Sequence, residues 1–260
     1  MTMLIASMDH SPQEIPNHRD VWHTSALLVS VSAEQWGWGE TLGPLLNPQR
    51  KKLRKWAARR ADRYRSEFRR QFPMVLAGSS VFALGLSVQG GTIIDSLPEL
   101  IAQMGLDQNL RVSGQQVTIV GLASGPNFTI STVQAASVIY LMHFICRMHA
   151  LIRDELRDGE GAQFVSCDWQ ISPDNFPLGV DGPMAALFSI AANSAANLRL
   201  VSGNLRVLTH YLHGDPGVDV CDNLAGMLKD DLARGSCTLE CFERPTMGGM
   251  YWEIHSADNV

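Results

Sequence analysis

Nothing in the 260 residues divides the chain: no long run of Pro, Gly or Ser offers a linker, so one domain over 1–260 is expected. Internal repeats and low-complexity tracts are also missing, which excludes solenoids and propellers. Cysteine is sparse and unpatterned. Cys146, Cys167, Cys221, Cys237 and Cys241 make an odd set without framework spacing, and no basic start with an apolar centre marks a signal peptide. A reducing, cytoplasmic setting is therefore expected. No Walker loop and no Gly-x-Ser-x-Gly elbow occurs, which argues against nucleoside triphosphatases and α/β-hydrolases. The run Gly37-x-Gly39-x-x-x-Gly43 misses the dinucleotide fingerprint by one residue. Residues 71–94 and 112–146 lack charge and are long enough to cross a bilayer, but each is interrupted by Gly, Ser, Gln, Asn or Pro. They read as buried sheet and core helix, not as membrane spans.

What is present is ordinary in bulk and unusual in one place. Hydrophobic residues make up 45% and charged residues 18%, a composition able to build a core without disulfides. The net charge of -5 hides a segregation. Residues 50–70 hold eleven of the 21 Lys and Arg: Arg50, Lys51, Lys52, Arg54, Lys55, Arg59, Arg60, Arg63, Arg65, Arg69 and Arg70. Only Asp62 and Glu67 oppose them, so this segment carries +9 and the rest -14. A helix over about 48–71, with cations all around it and stopped by Pro73, is predicted as an insertion on an acidic body. Clustered cations repel one another, a cost that phosphates would offset, so the expected partner is nucleic acid, DNA or RNA. A solvated face, or a helix docked on an acidic protein, is the alternative. Trp56 and Tyr64 could stack on bases, although anchoring the helix is the expected task.

Periodicity predicts strands at 3–8 and 22–31, then one or two over 74–88 and another at 116–122. A short helix is expected at 95–104 and a long, central one at about 129–157, its apolar stripe running from Ile130 through Ile152. The last third repeats a strand and helix rhythm: strand 162–167, a loop through Pro173 and Pro177, helix 182–197, strand 205–211 and helix 218–233. Segments 237–242 and 250–254 would close the chain as a hairpin. The class is α/β, a mixed sheet flanked by helices.

Three aspartates follow or face apolar strands: Asp9, Asp168 and Asp222. Clustered ionised carboxylates need protons or cations, and oxygen ligands suit Mg²⁺ or Mn²⁺. Two such ions can activate water and stabilise the leaving oxygen of a phosphodiester. Each aspartate also has a plain role, as a turn residue or at a helix start.

Three motifs carry a resemblance. These are Asp9-His10-Ser11-Pro12 before the strand Thr24–Ser30, Val165-Ser166-Cys167-Asp168, and Val218-Asp219-Val220-Cys221-Asp222-Asn223-Leu224-Ala225-Gly226. In order and type they resemble the bacterial RNase H-like family catalogued as domain of unknown function number 3800. Its members open with a strand ending Asp-Glu-Ser-Gly and close with a helix reading like Ala-Asp-Leu-x-Ala-Gly. The resemblance implies an RNase H-like mixed sheet with Asp9, Asp168 and Asp222 converging on one or two Mg²⁺ or Mn²⁺ ions, Asp215 as a fourth ligand, and nuclease activity. His10 stands where the family has Glu and Pro12 where it has Gly. That departure supports a rival: an inactive RNase H-like subunit serving a nucleic-acid-processing assembly with protein partners.

Weaker signals remain. His210-x-x-His213 precedes Asp215, and His213 is a candidate proton-transfer group beside the metal. Cys237-x-x-x-Cys241 with His255 could contribute to a zinc site, but the second half of a zinc ribbon is missing.

Overall fold

The computed structural model describes residues 2–11, 19–30, 56, 62–120, 127–160, 167–173, 182–201, 205–207, 216–237 and 239–256. Three strands open the fold: β1 (Thr2–Ser11), β2 (Trp22–Ser30) and, after helix α1 (Asp62–Ala77), β3 (Val81–Gln89). Helix α2 (Gly90–Gln103) leads into the short strands β4 (Leu110–Ser113), β5 (Gln116–Ile119) and β6 (Phe128–Ser131), then α3 (Thr132–Glu160). The chain closes with β7 (Cys167–Pro173), α4 (Pro183–Asn197), β8 (Leu205–Val207), α5 (Pro216–Arg234) and β9 (Met250–His255).

Six strands form one mixed sheet in the order β8-β7-β1-β2-β3-β9, and β4-β5-β6 form a separate antiparallel sheet. β1, β2 and β3 make an antiparallel meander, with β7 parallel beside β1, β8 parallel beside β7 and β9 parallel beside β3. β2 and β3 are buried along nearly their whole length, as strands covered on both faces must be. One face carries a large apolar cluster that includes Leu4, Ala6, Met8, Leu27, Phe82 and Leu84 with residues of α2, α3 and α4. The opposite face packs Ala26, Leu28, Val81 and Ala83 against α1 and α5. The architecture is α/β, as expected.

Local chemistry explains the boundaries. Helix α3 starts at Thr132 because Ser131 and Gln134 cap reciprocally: the Ser131 backbone N–H donates to Gln134 Oε1 at 3.0 Å and the Gln134 N–H to Ser131 Oγ at 3.2 Å. The window Thr132–Leu156 is long and apolar enough to cross a membrane, but 72% of it is buried inside the fold, as befits a core helix. Helix α2 begins five residues earlier than predicted, straight out of β3. Its first N–H groups, at Gly90 and Gly91, donate to the carbonyls of Val21 and Arg19.

Four expectations fail. Pro73 does not stop α1 but lies inside it, because Tyr64, Phe68, Phe72 and Leu76 recur every fourth residue and burying that stripe outweighs one lost hydrogen bond. Residues 74–77 are accordingly helix, not strand. The stretch around Pro173 is strand β7 rather than loop, with Pro173 at its very end, where a missing N–H is tolerated. The closing hairpin is not formed, since β9 pairs in parallel with β3 and, among the described residues, meets 237–242 through a parallel bridge from Cys241 to Met250.

Candidate functional site

β1 positions Asp9. Leu4, Ala6 and Met8 point into the larger cluster, so the alternate residues Ser7 and Asp9 face α1 and α5. Asp9 lies opposite Ala26, whose side chain belongs to the α1/α5 cluster, and Ala26 lies opposite Gly85. The Asp9 side chain is 7% exposed, and a carboxylate so buried requires polar partners or a counter-charge. Helix α5 crosses this face, with Cys221 donating its thiol proton to the Ser7 carbonyl at 3.2 Å. Cys221, Leu224, Ala225 and Leu228 form its buried stripe, while Asp219 and Asp222 flank the stripe half-buried. Gly85 admits the helix: a Cβ there would come within 2.6 Å of Leu228.

The register separates Asp168 from this place. In the parallel β1–β7 pair Asp168 faces Met3, six residues before Asp9, or roughly 20 Å at the usual rise per residue. Asp168 opens β7 instead of ending it, so the expected convergence with Asp9 does not occur. Residues 162–166 of the expected strand lie outside the described residues. The last register pair is Met8 with Pro173, and the next residue in sequence is Asp174, a carboxylate that sequence reasoning passed over. Asp174, His213 and Asp215 lie outside the described residues. Among the described residues no three His, Cys, Asp or Glu side chains gather into a group able to hold a metal ion.

The cationic segment is visible at its C-terminal end; Arg50, Lys51, Lys52, Arg54, Lys55, Arg59 and Arg60 lie outside the described residues. Its cations do not surround α1. With Tyr64, Phe68, Phe72 and Leu76 inward, Arg63 and Arg70 project outward on one face, Arg70 paired with Glu67. Arg69 points the other way. Its Nη1 lies 2.6 Å from Oδ1 of the fully buried Asp231, and its Nη2 lies 3.9 Å from Asp230. It is committed to joining α1 to α5 and is withdrawn from the set of phosphate-binding candidates.

Trp56 completes that joint, in line with the anchoring role expected of it. It is 5% exposed, donates Nε1–H to Asp230 at 2.9 Å, and meets Phe68 edge-on at 5.8 Å. The Arg65 and Arg69 guanidinium carbons lie 5.8 and 5.1 Å from its ring centre. A Cβ on Gly226 would approach the ring to 2.5 Å, so glycine is what lets Trp56 lie on α5.

On the opposite face β9 carries a polar network that sequence reasoning missed. Glu253 accepts hydrogen bonds from Tyr251 Oη at 2.6 Å and His255 Nε2 at 2.9 Å and pairs with Arg147 of α3. Burial alone would raise its pKa, but the bonds from His255 and Tyr251 and the charge of Arg147 outweigh burial and hold the carboxyl at about 2. The alternation Tyr251-x-Glu253-x-His255 was the available signal. A cavity of about 590 Å³ also opens between α2 and β4–β5, with Leu97, Ile101 and Leu110 in its wall and Arg19 and Asp107 at its polar margin. No protein-family model, curated protein or solved structure matches the chain.

Proposed function

We propose that this chain is an RNase H-like nucleic-acid-binding protein whose reaction centre, for divalent-metal-dependent phosphodiester hydrolysis, is the Asp9 end of β1. The observation that carries the reading is the strand order. An antiparallel β1-β2-β3 meander, with β7 parallel beside β1 and β8 parallel beside β7, is the order expected of an RNase H-like sheet and supports this reading, with β9 as a sixth strand. Asp9 sits on the central strand of that arrangement, buried on the face that α5 crosses with Asp219 and Asp222. Asp168 drops out of the ligand set, and Asp174, next in sequence after Pro173, is the carboxylate we put in its place as a candidate ligand with Asp9 and Asp222.

The described carboxylates alone do not make a metal-holding group, so no catalytic step is derived through an ion. What this chain's residues supply is a buried carboxylate on a rigid strand, with a segment of +9 between β2 and β3 to hold a polyanion. DNA and RNA, single- and double-stranded, should be offered with Mg²⁺ or Mn²⁺ to the native chain and to Asp9→Asn, Asp174→Asn and Asp168→Asn. The expected result is cleavage lost in the first two by more than the roughly 10–100-fold that follows loss of a ligand's supporting contact, with Asp168→Asn near native. Cleavage surviving in Asp9→Asn would end the hydrolytic reading.

His10, standing where the resembled family has Glu, favours a second reading, an inactive RNase H-like subunit that only binds nucleic acid, in an assembly with other proteins. Salt-dependent binding without cleavage in the same assay selects it. Binding insensitive to charge reversal at Arg59, Arg60 and Arg63 points instead to an acidic protein partner.

A further inference from the structure

Beyond α5 the chain turns at Gly235, whose φ of +64° suits glycine, and runs back along the outer edge of β9. Two cysteines lie on this strip. Cys237 and Cys241 are both free thiols on exposed residues, and their sulfurs are 3.5 Å apart. The strip around them is held in place: Leu239 is 7% exposed within the α1/α5 cluster, and the Phe242 N–H donates to the Met250 carbonyl at 2.9 Å. The two sulfurs are thus kept together by contacts on either side. No third ligand completes a zinc site there among the described residues.

We propose that Cys237 and Cys241 form a redox-active dithiol that closes reversibly to an intramolecular disulfide on meeting a low-molecular-weight disulfide. A bonded pair needs a sulfur separation of about 2.05 Å, so the two sulfurs at 3.5 Å are about 1.5 Å from bonding distance. Order of attack follows from surroundings. Burial, the hydrogen bond with Cys237 and the negative charge of Asp231 push the Cys241 thiol up to about 12, which leaves Cys237 as the nucleophile. The Cys237 thiolate attacks one sulfur of glutathione disulfide and expels a glutathione thiolate. Cys241 gives its proton to water, attacks the Cys237 sulfur and expels the second. Both cysteines are oxidised and one glutathione disulfide is reduced to two thiols. The new bond spans the point where the chain passes from α5 to the edge of the sheet, and fastens the strip that covers β9.

Mass spectrometry of the intact protein chain, treated with glutathione disulfide, alkylated and then digested with trypsin, tests this directly. Trypsin cleaves after Arg234 and not between Arg244 and Pro245, so the peptide beginning at Gly235 contains Cys237 and Cys241 and no other cysteine. The expected product is that peptide lighter by about 2 Da and unalkylated, restored by dithiothreitol. Cys241→Ser should stop at the glutathione adduct on Cys237, a gain of about 305 Da. A native chain that accumulates the same adduct, or keeps both thiols open to alkylation, overturns the proposal, and that result needs no variant to fold. The readout does not depend on nucleic-acid binding.

Discussion

Away from the Glu253–Arg147 pair on the edge strand, the two faces of the six-stranded sheet hold their most buried ionisable groups in different ways. Under α2, α3 and α4, two buried histidines are kept neutral: His23, opposite Val88 of the apolar cluster, and His149 on α3. Burial, with smaller help from Lys229 and Arg153 respectively, lowers each imidazole to about 4. Under α1 and α5 a charge is instead kept and matched, with Arg69 clamped between the Trp56 ring and Asp231. The first face gains its strength from apolar area, which is non-directional. The second has a smaller apolar cluster and fixes the angle between two helices through directional contacts. That difference matters for function, because α5 is the helix that crosses Asp9 and α1 is the end of the cationic segment.

The strongest way to break the comparison is Asp231→Ala. It removes the buried carboxylate that lies 2.6 Å from the Arg69 guanidinium, a side chain only 16% exposed, and should cost about 3–5 kcal/mol in urea unfolding. Replacing both partners, Arg69→Met with Asp231→Leu, should recover most of that loss, since an apolar pair leaves no charge buried. A single-substitution cost below about 1 kcal/mol would mean that the joint is held by Trp56 and Phe68 alone.

Acid should act next, and on the other face. A histidine whose pKa is about 4 folded and about 6.5 unfolded binds fewer protons in the native state between those values. Stability is therefore full above pH 6.5 and falls as pH drops toward 4, by at most roughly 3 kcal/mol for each histidine. Glu253, depressed to about 2, adds a further loss beginning below pH 4.5. His23 offers the cleaner test, because neither ring nitrogen has a hydrogen-bond partner. His23→Leu should raise stability at pH 7 by about 1–3 kcal/mol and flatten the curve between pH 6.5 and 4. An unchanged slope would mean that His23 is solvated in the native protein.

These features differ in how far the sequence alone reveals them. Periodic elements were legible: β1, β2, α4, α5 and the core helix α3 carry strong local patterns, and Trp56 was read as an anchor. What escaped was set by partners distant in sequence. The position of β7 depends on pairing with β1 and β8, so an apolar run at 162–167 was taken for the strand and Asp168 for its end. Pro73 lies inside a helix because the buried stripe on either side holds the helix through it. β4 and β6 are four residues each and mostly not buried, too short for alternation to register. The pairing of Arg69 with Asp231 joins residues 162 apart in sequence, beyond the reach of any local pattern.

The smallest expected effect on stability comes from the outward side of α1. Arg63 is exposed, beside a helix face that packs on nothing described, so Arg63→Glu should change unfolding free energy by no more than about 0.5 kcal/mol. Its effect on nucleic-acid binding should be large by comparison. A cation that neutralises one phosphate contributes close to one unit to the dependence of log K on log salt, so the slope should fall by about 1 and affinity should drop for every sequence alike. Arg69 offers the internal contrast: Arg69→Met within the repacked pair should leave that slope unchanged, since its guanidinium faces Asp231 and not solvent. If the repacked pair weakens binding as much as Arg63→Glu does, the division of α1 into a structural side and a phosphate side is wrong, because a change confined to the joint would then be altering the surface.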